Sequence, residues 1–218
     1  MAKVKICGIT NKIDAKNASV SGADFLGFNF YRNSQRFIKP GYAKKIIESL
    51  PPKTKPVGVF VNEQAGNIEN ICRHCGISIV QLSGDEPLDF ALKLKQSKTI
   101  KKIKIIKAYR IKKISEFKEK IISKNDIFRR IDYIMLDSLH SGFYGGTGKR
   151  FSMDSFDALK ALINNRKLII AGGLSQLNVK DAINKTHPFA VDVCTNVEKS
   201  PGIKDAKLVE DFIKEAKS

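Results

Sequence analysis

The sequence predicts an α/β fold of one kind, a single-domain (β/α)8 TIM barrel spanning residues 1–218. Three observations lead there. Short runs rich in Val, Ile and Phe recur eight times, the pattern of strands buried on both faces of a parallel sheet. Amphipathic segments separate them, and strict alternation of this kind implies parallel strands joined by right-handed crossovers. Eight such units in 218 residues match the length of a closed barrel. The competing open doubly wound sheet usually carries a Gly-x-Gly-x-x-Gly turn after its first strand. Here that position reads Cys7-Gly8-Ile9-Thr10-Asn11.

Taken in order, the predicted strands are Lys3–Cys7, Phe25–Phe30, Val57–Val61, Ile77–Leu82, Ile103–Ala108, Tyr133–Asp137, Leu168–Ala171 and Ala190–Cys194. Helical spacing of three and four joins Ile111, Ile114, Phe117 and Ile121, and again Leu208, Val209, Phe212, Ile213 and Ala216. Pro40-Gly41, Ser175 and Asp205 are start signals for three helices, while Asp14, Gln64 and Pro87 open others less clearly.

Composition narrows the function classes. Apolar residues make up 42% and charged residues 28%, a globular balance that excludes disorder as a description of the whole chain. No run of about 18 apolar residues occurs, and the N-terminus shows no signal-peptide core. With four scattered cysteines, these features predict a cytoplasmic protein. The net charge is +17, and residues 91–130 hold +12 of it through 15 basic and 3 acidic side chains.

In a barrel the chemistry sits at the carboxyl ends of the strands. A thiol, Cys7, ends the first strand, and a carboxylate, Asp137, ends the sixth; both could point into the mouth as an acid–base pair. From the residues alone, Cys7 is as readily a small buried hydrophobe and Asp137 a loop or N-cap carboxylate. Glycines cluster in the last three loops, at Gly145-Gly146-Thr147-Gly148, at Gly172-Gly173 and at Gly202. Their joint position near the seventh and eighth strand ends points to phosphate, held by backbone N–H groups.

Several runs resemble the phosphoribosylanthranilate isomerase family. They are Lys5-Ile6-Cys7-Gly8-Ile9-Thr10, Gly22–Phe28, Val57–Asn62, Val80-Gln81-Leu82, Leu136-Asp137-Ser138, Tyr144–Lys149, Ala171–Leu174, Val191-Asp192-Val193 and Val197-Glu198. The likeness is colinear from residue 3 to about 205; the opening run and Tyr144–Lys149 are its specific parts. It implies conversion of N-(5-phosphoribosyl)anthranilate to 1-(o-carboxyphenylamino)-1-deoxyribulose 5-phosphate, a step of tryptophan biosynthesis. This is an Amadori rearrangement, which the resemblance implies without cofactor or metal. The same resemblance makes Asp137 the acid, Cys7 the base and Arg36 the partner of the anthranilate carboxylate. The substrate-binding set is then Arg36, Gly146, Gly148, Gly172, Gly173, Asp192, Thr195 and Asn196, in a protein expected to be a monomer. Asp192 is assigned to the sugar hydroxyls; Asp192 and Cys194 share one face of the last strand, as Gln81 and Ser83 share a face of the fourth.

Three positions depart from the family pattern. Ser83 stands where His is usual, and Gln35 replaces the Pro before Arg36. Cys194-Thr195-Asn196 replaces Ser-Ser-Gly; Thr195 keeps a hydroxyl for phosphate, and Asn196 suits a backbone that needs positive φ.

Other motifs carry less. Cys72-Arg73-His74-Cys75 lacks the second ligand pair of a zinc site, and His140 and His187 supply no metal spacing, so the two thiols read as structural. His140, Lys149 and Arg150 flank the glycine-rich loop without a defined role. The alternative function is a basic barrel binding nucleic acid non-specifically through Lys93–Arg130. No specific nucleic acid is expected, because Tyr109, Phe117 and Phe128 are the only aromatics in residues 91–130.

Overall fold

The computed structural model describes residues 1–97, 100, 102–111, 130–138 and 167–218. Eight parallel strands close into a barrel in chain order, with the eighth pairing back onto the first. They are β1 (Lys3–Cys7), β2 (Phe25–Asn29), β3 (Lys55–Phe60), β4 (Ile79–Leu82), β5 (Lys104–Ile111), β6 (Tyr133–Ser138), β7 (Lys167–Ala171) and β8 (Ala190–Val193). The described helices are α1 (Lys12–Ser21), α2 (Pro40–Ile47), α3 (Ala65–Cys75), α4 (Leu88–Lys95), α5 (Val179–Thr186) and α6 (Ala206–Ala216). All eight predicted strands are present, with ends that shift by a few residues.

Two concentric apolar layers explain why the strands read as continuous hydrophobic runs. Side chains alternate along a strand, so every second residue enters the barrel and the others meet the helices. Val57, Ile79, Ile106, Met135, Ile169 and Ala190 fill the inside. Val4, Ile6, Leu26, Phe28, Ile105 and Val191 pack outward in a second cluster with Ile68 of α3 and Phe212 of α6.

The helix starts follow side-chain chemistry. Asn11 caps α1 by accepting from the Asp14 N–H at 2.9 Å, and Asp205 caps α6 by accepting from the N–H groups of Lys207 and Leu208. Asp14, an expected start signal, therefore sits inside the first turn. Ser175 opens a turn instead of a helix: its N–H donates to Asn178 Oδ1 at 2.8 Å, and α5 begins only at Val179. Ile111, grouped above with a helical stripe, is the last residue of β5, which runs on past Ala108. Ile114, Phe117 and Ile121 lie outside the described residues. Past β8 the chain makes a short 3-10 turn (Thr195–Val197) and an antiparallel ribbon, β9 (Glu198–Ser200) and β10 (Ile203–Lys204). That ribbon turns at Gly202, whose φ of 84° suits glycine, and periodicity does not announce it.

The described part of the basic stretch is partly neutralised within the protein. Lys95 Nζ lies 2.8 Å from Asp132, and buried Lys107 lies 2.8 Å from Glu86 Oε2. Residues 112–129 lie outside the described set, and the nucleic-acid alternative finds no support. Among the described residues, no helix is long and apolar enough to cross a membrane.

Candidate active site

The mouth of the barrel is assembled from residues two apart on neighbouring strands. On β1, Lys5 and Cys7 face inward; Asp192 of β8 stands beside Lys5 in register, and Cys194 follows one step beyond the Ile6–Val193 pair. Lys5 Nζ donates to Asp192 Oδ1 at 2.8 Å, with the Lys5 side chain 1% exposed. On the other flank, β2 places Gly27 beside Cys7. A Cβ on Gly27 would sit 2.7 Å from Cys7 Sγ and 3.1 Å from Lys5 Nζ, so the missing side chain makes room for both groups.

These groups bias one another's protonation. Cys194 donates a hydrogen bond to the Cys7 sulfur, and Lys5 and Lys204 add positive charge; together they overcome burial and hold the Cys7 pKa well below the ordinary thiol value. The same hydrogen bond, with burial, pushes the Cys194 thiol up. A second acceptor, Glu198 Oε1, lies 3.8 Å from Cys194 Sγ, but its charge is already met by Arg36 and Lys204. Burial disfavours charge on Lys5, yet Asp192 and Cys7 outweigh it and keep the ammonium charged. Burial lifts the Asp192 carboxyl to about 7 despite Lys5. At the end of β6, Asp137 is raised mainly by burial and further by Cys7, while neighbouring Arg110 opposes the rise. The mouth thus pairs a thiol inclined to be a thiolate with a carboxyl inclined to keep its proton.

A second group of charges closes the β8 side. Arg36 Nη2 donates to Glu198 Oε2 at 2.6 Å, and its Nε lies 3.2 Å from the same oxygen. Glu198 Oε1 also accepts from Lys204 Nζ at 2.9 Å and from the Gly202 N–H at 3.2 Å. Burial works against the Glu198 carboxylate, but Arg36 and Lys204 pull its pKa down. The remaining edge of the guanidinium meets Gln35 Oε1 at 3.3 Å from Nη1, and Ser34 Oγ fixes the loop by accepting the Arg36 N–H at 3.1 Å. Gln35 therefore gives the arginine a side-chain contact that a Pro there would lack.

Between the ends of β6, β7 and β8 lies a cavity of about 290 Å3, lined by Asp137, Ala171–Leu174 and Asp192–Asn196. Gly172 and Gly173 have φ of 88° and 66°, a backbone few other residues adopt. Asn196 does not meet its expectation of a positive φ. It lies within the 3-10 turn and holds the neighbouring loop by donating from Nδ2 to the Leu174 carbonyl at 2.9 Å. Ser83, in the position usual for His, accepts from Gln81 Nε2 at 3.0 Å on the inner face of β4.

Of the residues singled out by sequence, Cys7, Asp137, Gly172, Gly173, Asp192, Thr195 and Asn196 meet at this mouth, with Arg36 at its rim. Gly146 and Gly148, with His140, Lys149 and Arg150, lie outside the described residues. Sequence reasoning passed over Lys5, Gly27, Glu198 and Lys204 as interacting groups. For Lys5 a signal existed: a lysine two residues before Cys7 shares its face, and an inward lysine in an apolar strand needs a buried partner. Nothing local marks Lys204 for Glu198. Among the described residues, no group of three or more His, Cys, Asp or Glu side chains could hold a metal ion. Cys72 and Cys75 sit buried at the end of α3, away from the mouth.

Comparison with known proteins places this geometry. The family model described as N-(5'phosphoribosyl)anthranilate (PRA) isomerase matches residues 4–215. An N-(5'-phosphoribosyl)anthranilate isomerase of Thermotoga neapolitana is 43% identical over 221 residues, covering 100% of this chain and 99% of that protein. The enzyme of the same name from Trichlorobacter lovleyi is 41% identical over 217 residues, covering 100% and 98%. A crystal structure of phosphoribosyl anthranilate isomerase from Thermotoga maritima superposes with a TM-score of 0.85 at 38% identity, covering 100% of this chain and 99% of that one. Another, in complex with reduced 1-(o-carboxyphenylamino)-1-deoxyribulose 5-phosphate, superposes at 0.84 with 36% identity and the same coverage. The chain belongs to the N-(5'-phosphoribosyl)anthranilate isomerase family.

Proposed function

We propose that this protein isomerises N-(5-phosphoribosyl)anthranilate to 1-(o-carboxyphenylamino)-1-deoxyribulose 5-phosphate in tryptophan biosynthesis, with Asp137 as general acid and Cys7 as general base. The observation that carries the reading is the opposed bias of these two groups, Cys7 toward the thiolate and Asp137 toward the protonated carboxyl, at one barrel mouth. In the first step Asp137 protonates the ribose ring oxygen; the C1–O bond breaks and leaves a Schiff base. In the second, the Cys7 thiolate takes the proton from C2, giving an enolamine that relaxes to the ketone. Lys5 keeps the thiolate charged before that step and Asp192 meets the sugar hydroxyls.

Phosphate binds in the cavity bounded by Gly172, Gly173, Thr195 and Asn196; Gly146 and Gly148, expected in the same set, lie outside the described residues. Glu198 holds Arg36 by Nε and Nη2, and the anthranilate carboxylate takes the outer edge of the guanidinium, where Nη1 otherwise rests on Gln35. The enzyme works as a cytoplasmic monomer made of one barrel domain. Lys3, Lys53, Lys55 and Lys104 outnumber Asp24 around the cavity between the strand starts, a net positive surface that disfavours self-association there.

Direct assay decides the central point. The full chain should turn over phosphoribosylanthranilate and leave a phosphoribosyl aminoimidazole isomerase substrate untouched. Absence of turnover with the anthranilate compound would overturn the assignment.

A further inference from the structure

Cys7 has a second thiol beside it. The β1–β8 register ends at Ile6–Val193; Cys7 is the last residue of β1 and Cys194 the first past β8, so the two stand one step beyond that last pair. Parallel strands run about 4.8 Å apart, inside the roughly 4.4–6.8 Å of Cα separation that a disulfide bridges. Each thiol is the strongest influence on the other's protonation, and Cys194 Sγ lies 3.0 Å from where a Cβ on Gly8, the residue after Cys7, would stand. Both thiols are free and partly exposed, open to a small solute.

We propose that Cys7 and Cys194 form a site of reversible oxidative modification, closing to a disulfide on exposure to peroxide-class oxidants and reopening with dithiol reductants. The site rests on the two sulfurs alone; only its effect on turnover rests on the isomerase reading. The Cys7 thiolate attacks one peroxide oxygen, the O–O bond breaks, and Cys7 becomes a sulfenic acid while hydroxide leaves and is protonated to water. Cys194 then attacks the Cys7 sulfur; the S–S bond forms, the S–O bond breaks, and the departing hydroxide takes the Cys194 proton as a second water. Two thiols give up two electrons to one peroxide. Lys5 and Lys204 favour the first step by stabilising the attacking thiolate, and the short reach of Cys194 favours the second. The disulfide removes the C2 base from the mouth, so turnover stops until reduction.

The test treats the whole protein with hydrogen peroxide, blocks residual thiols, and maps peptides by mass spectrometry beside activity. The expected map shows a Cys7–Cys194 link with Cys72 and Cys75 still alkylatable. Activity should fall at least about tenfold and return on adding dithiothreitol, as expected when a general base is masked and released. In Cys194→Ser, Cys7 should instead go on to the sulfinic acid, and dithiothreitol should fail to reverse it. A map with Cys7 oxidised but unlinked in the parent protein overturns the proposal, as does a parent protein whose four thiols all survive peroxide. Because the map is read without turnover, an inactive but linked protein would count against the isomerase reading and leave this one standing.

Discussion

Two pairs of cysteines in this molecule have the same side chain, and only one pair contains a sulfur inclined to be a thiolate. Cys7 and Cys194 stand at the barrel mouth with Lys5, Lys204 and Arg36 around them. Cys72 and Cys75 lie three apart on α3, turned toward the layer between barrel and helices, where Ile68 packs. Burial pushes Cys72 up to about 12 and raises Cys75 as well, whose Sγ donates to the Pro40 carbonyl at 3.3 Å. Burial acts on Cys7 too, yet there the hydrogen bond and the neighbouring ammonium groups prevail. Thiol character here follows from the field around the sulfur, and a C-x-x-C spacing says little about it.

The sharpest way to break this contrast is to remove Cys7 and, separately, both cysteines of α3. Cys7→Ala should lower kcat/KM by about 10²–10⁴-fold, the range of a lost general base, while the Cys72→Ala/Cys75→Ala double variant keeps parent rates. Steady-state kinetics on both decide it; equal losses would end the contrast.

Next comes the charge that supports the thiolate. Lys5→Met leaves Asp192 buried without its cation; the carboxyl, already lifted to about 7, takes up a proton, and the cost in urea unfolding should be about 1–3 kcal/mol. Iodoacetamide labelling of Cys7 near neutral pH should slow at the same time. Unchanged labelling would show that Lys5 acts on Asp192 alone. Gly27→Ala tests geometry without touching charge. Its new Cβ would meet Cys7 Sγ at 2.7 Å, and the displaced sulfur should lower kcat by up to about 100-fold.

The pH dependence carries a definite sign. Because Cys7 is depressed, its base form persists below the ordinary thiol range, and kcat/KM should fall only as pH drops through that lowered value. Removing the donor in Cys194→Ala should move this acid limb to higher pH. Asp137 works in the other sense: its pKa is raised, so the acid survives above the usual carboxylate range and is lost as pH climbs past it. The smallest effect belongs to Cys72→Ala, about 1–2 kcal/mol of stability from a trimmed core side chain, with kinetics unchanged.

Legibility divided along similar lines. The strands were readable because a buried parallel strand is a mostly apolar run, a property of five or six adjacent residues. Boundaries suffered where one residue serves two patterns: Ile111 fits a helical stripe and still ends β5. Ser175 has the right chemistry for a cap, but Asn178 takes the turn first. Asn196 was expected to substitute for glycine through its backbone and instead contributes its side-chain amide. The ribbon of β9 and β10 has too few residues to show a period.

Adjacent residues alone were enough to read the barrel and the strand ends, and to raise the expectation that Cys7, Asp137, Arg36 and the glycines of the seventh loop gather there. The tertiary structure alone decided what those groups are as acids and bases. Lys5 finds Asp192 across 187 residues, Arg36 finds Glu198 across 162, and Cys7 meets Cys194 only when β8 returns to β1. Periodicity is a property of neighbours in the chain, whereas a pKa is set by neighbours in space, and closing the barrel is the step that makes the second list out of the first.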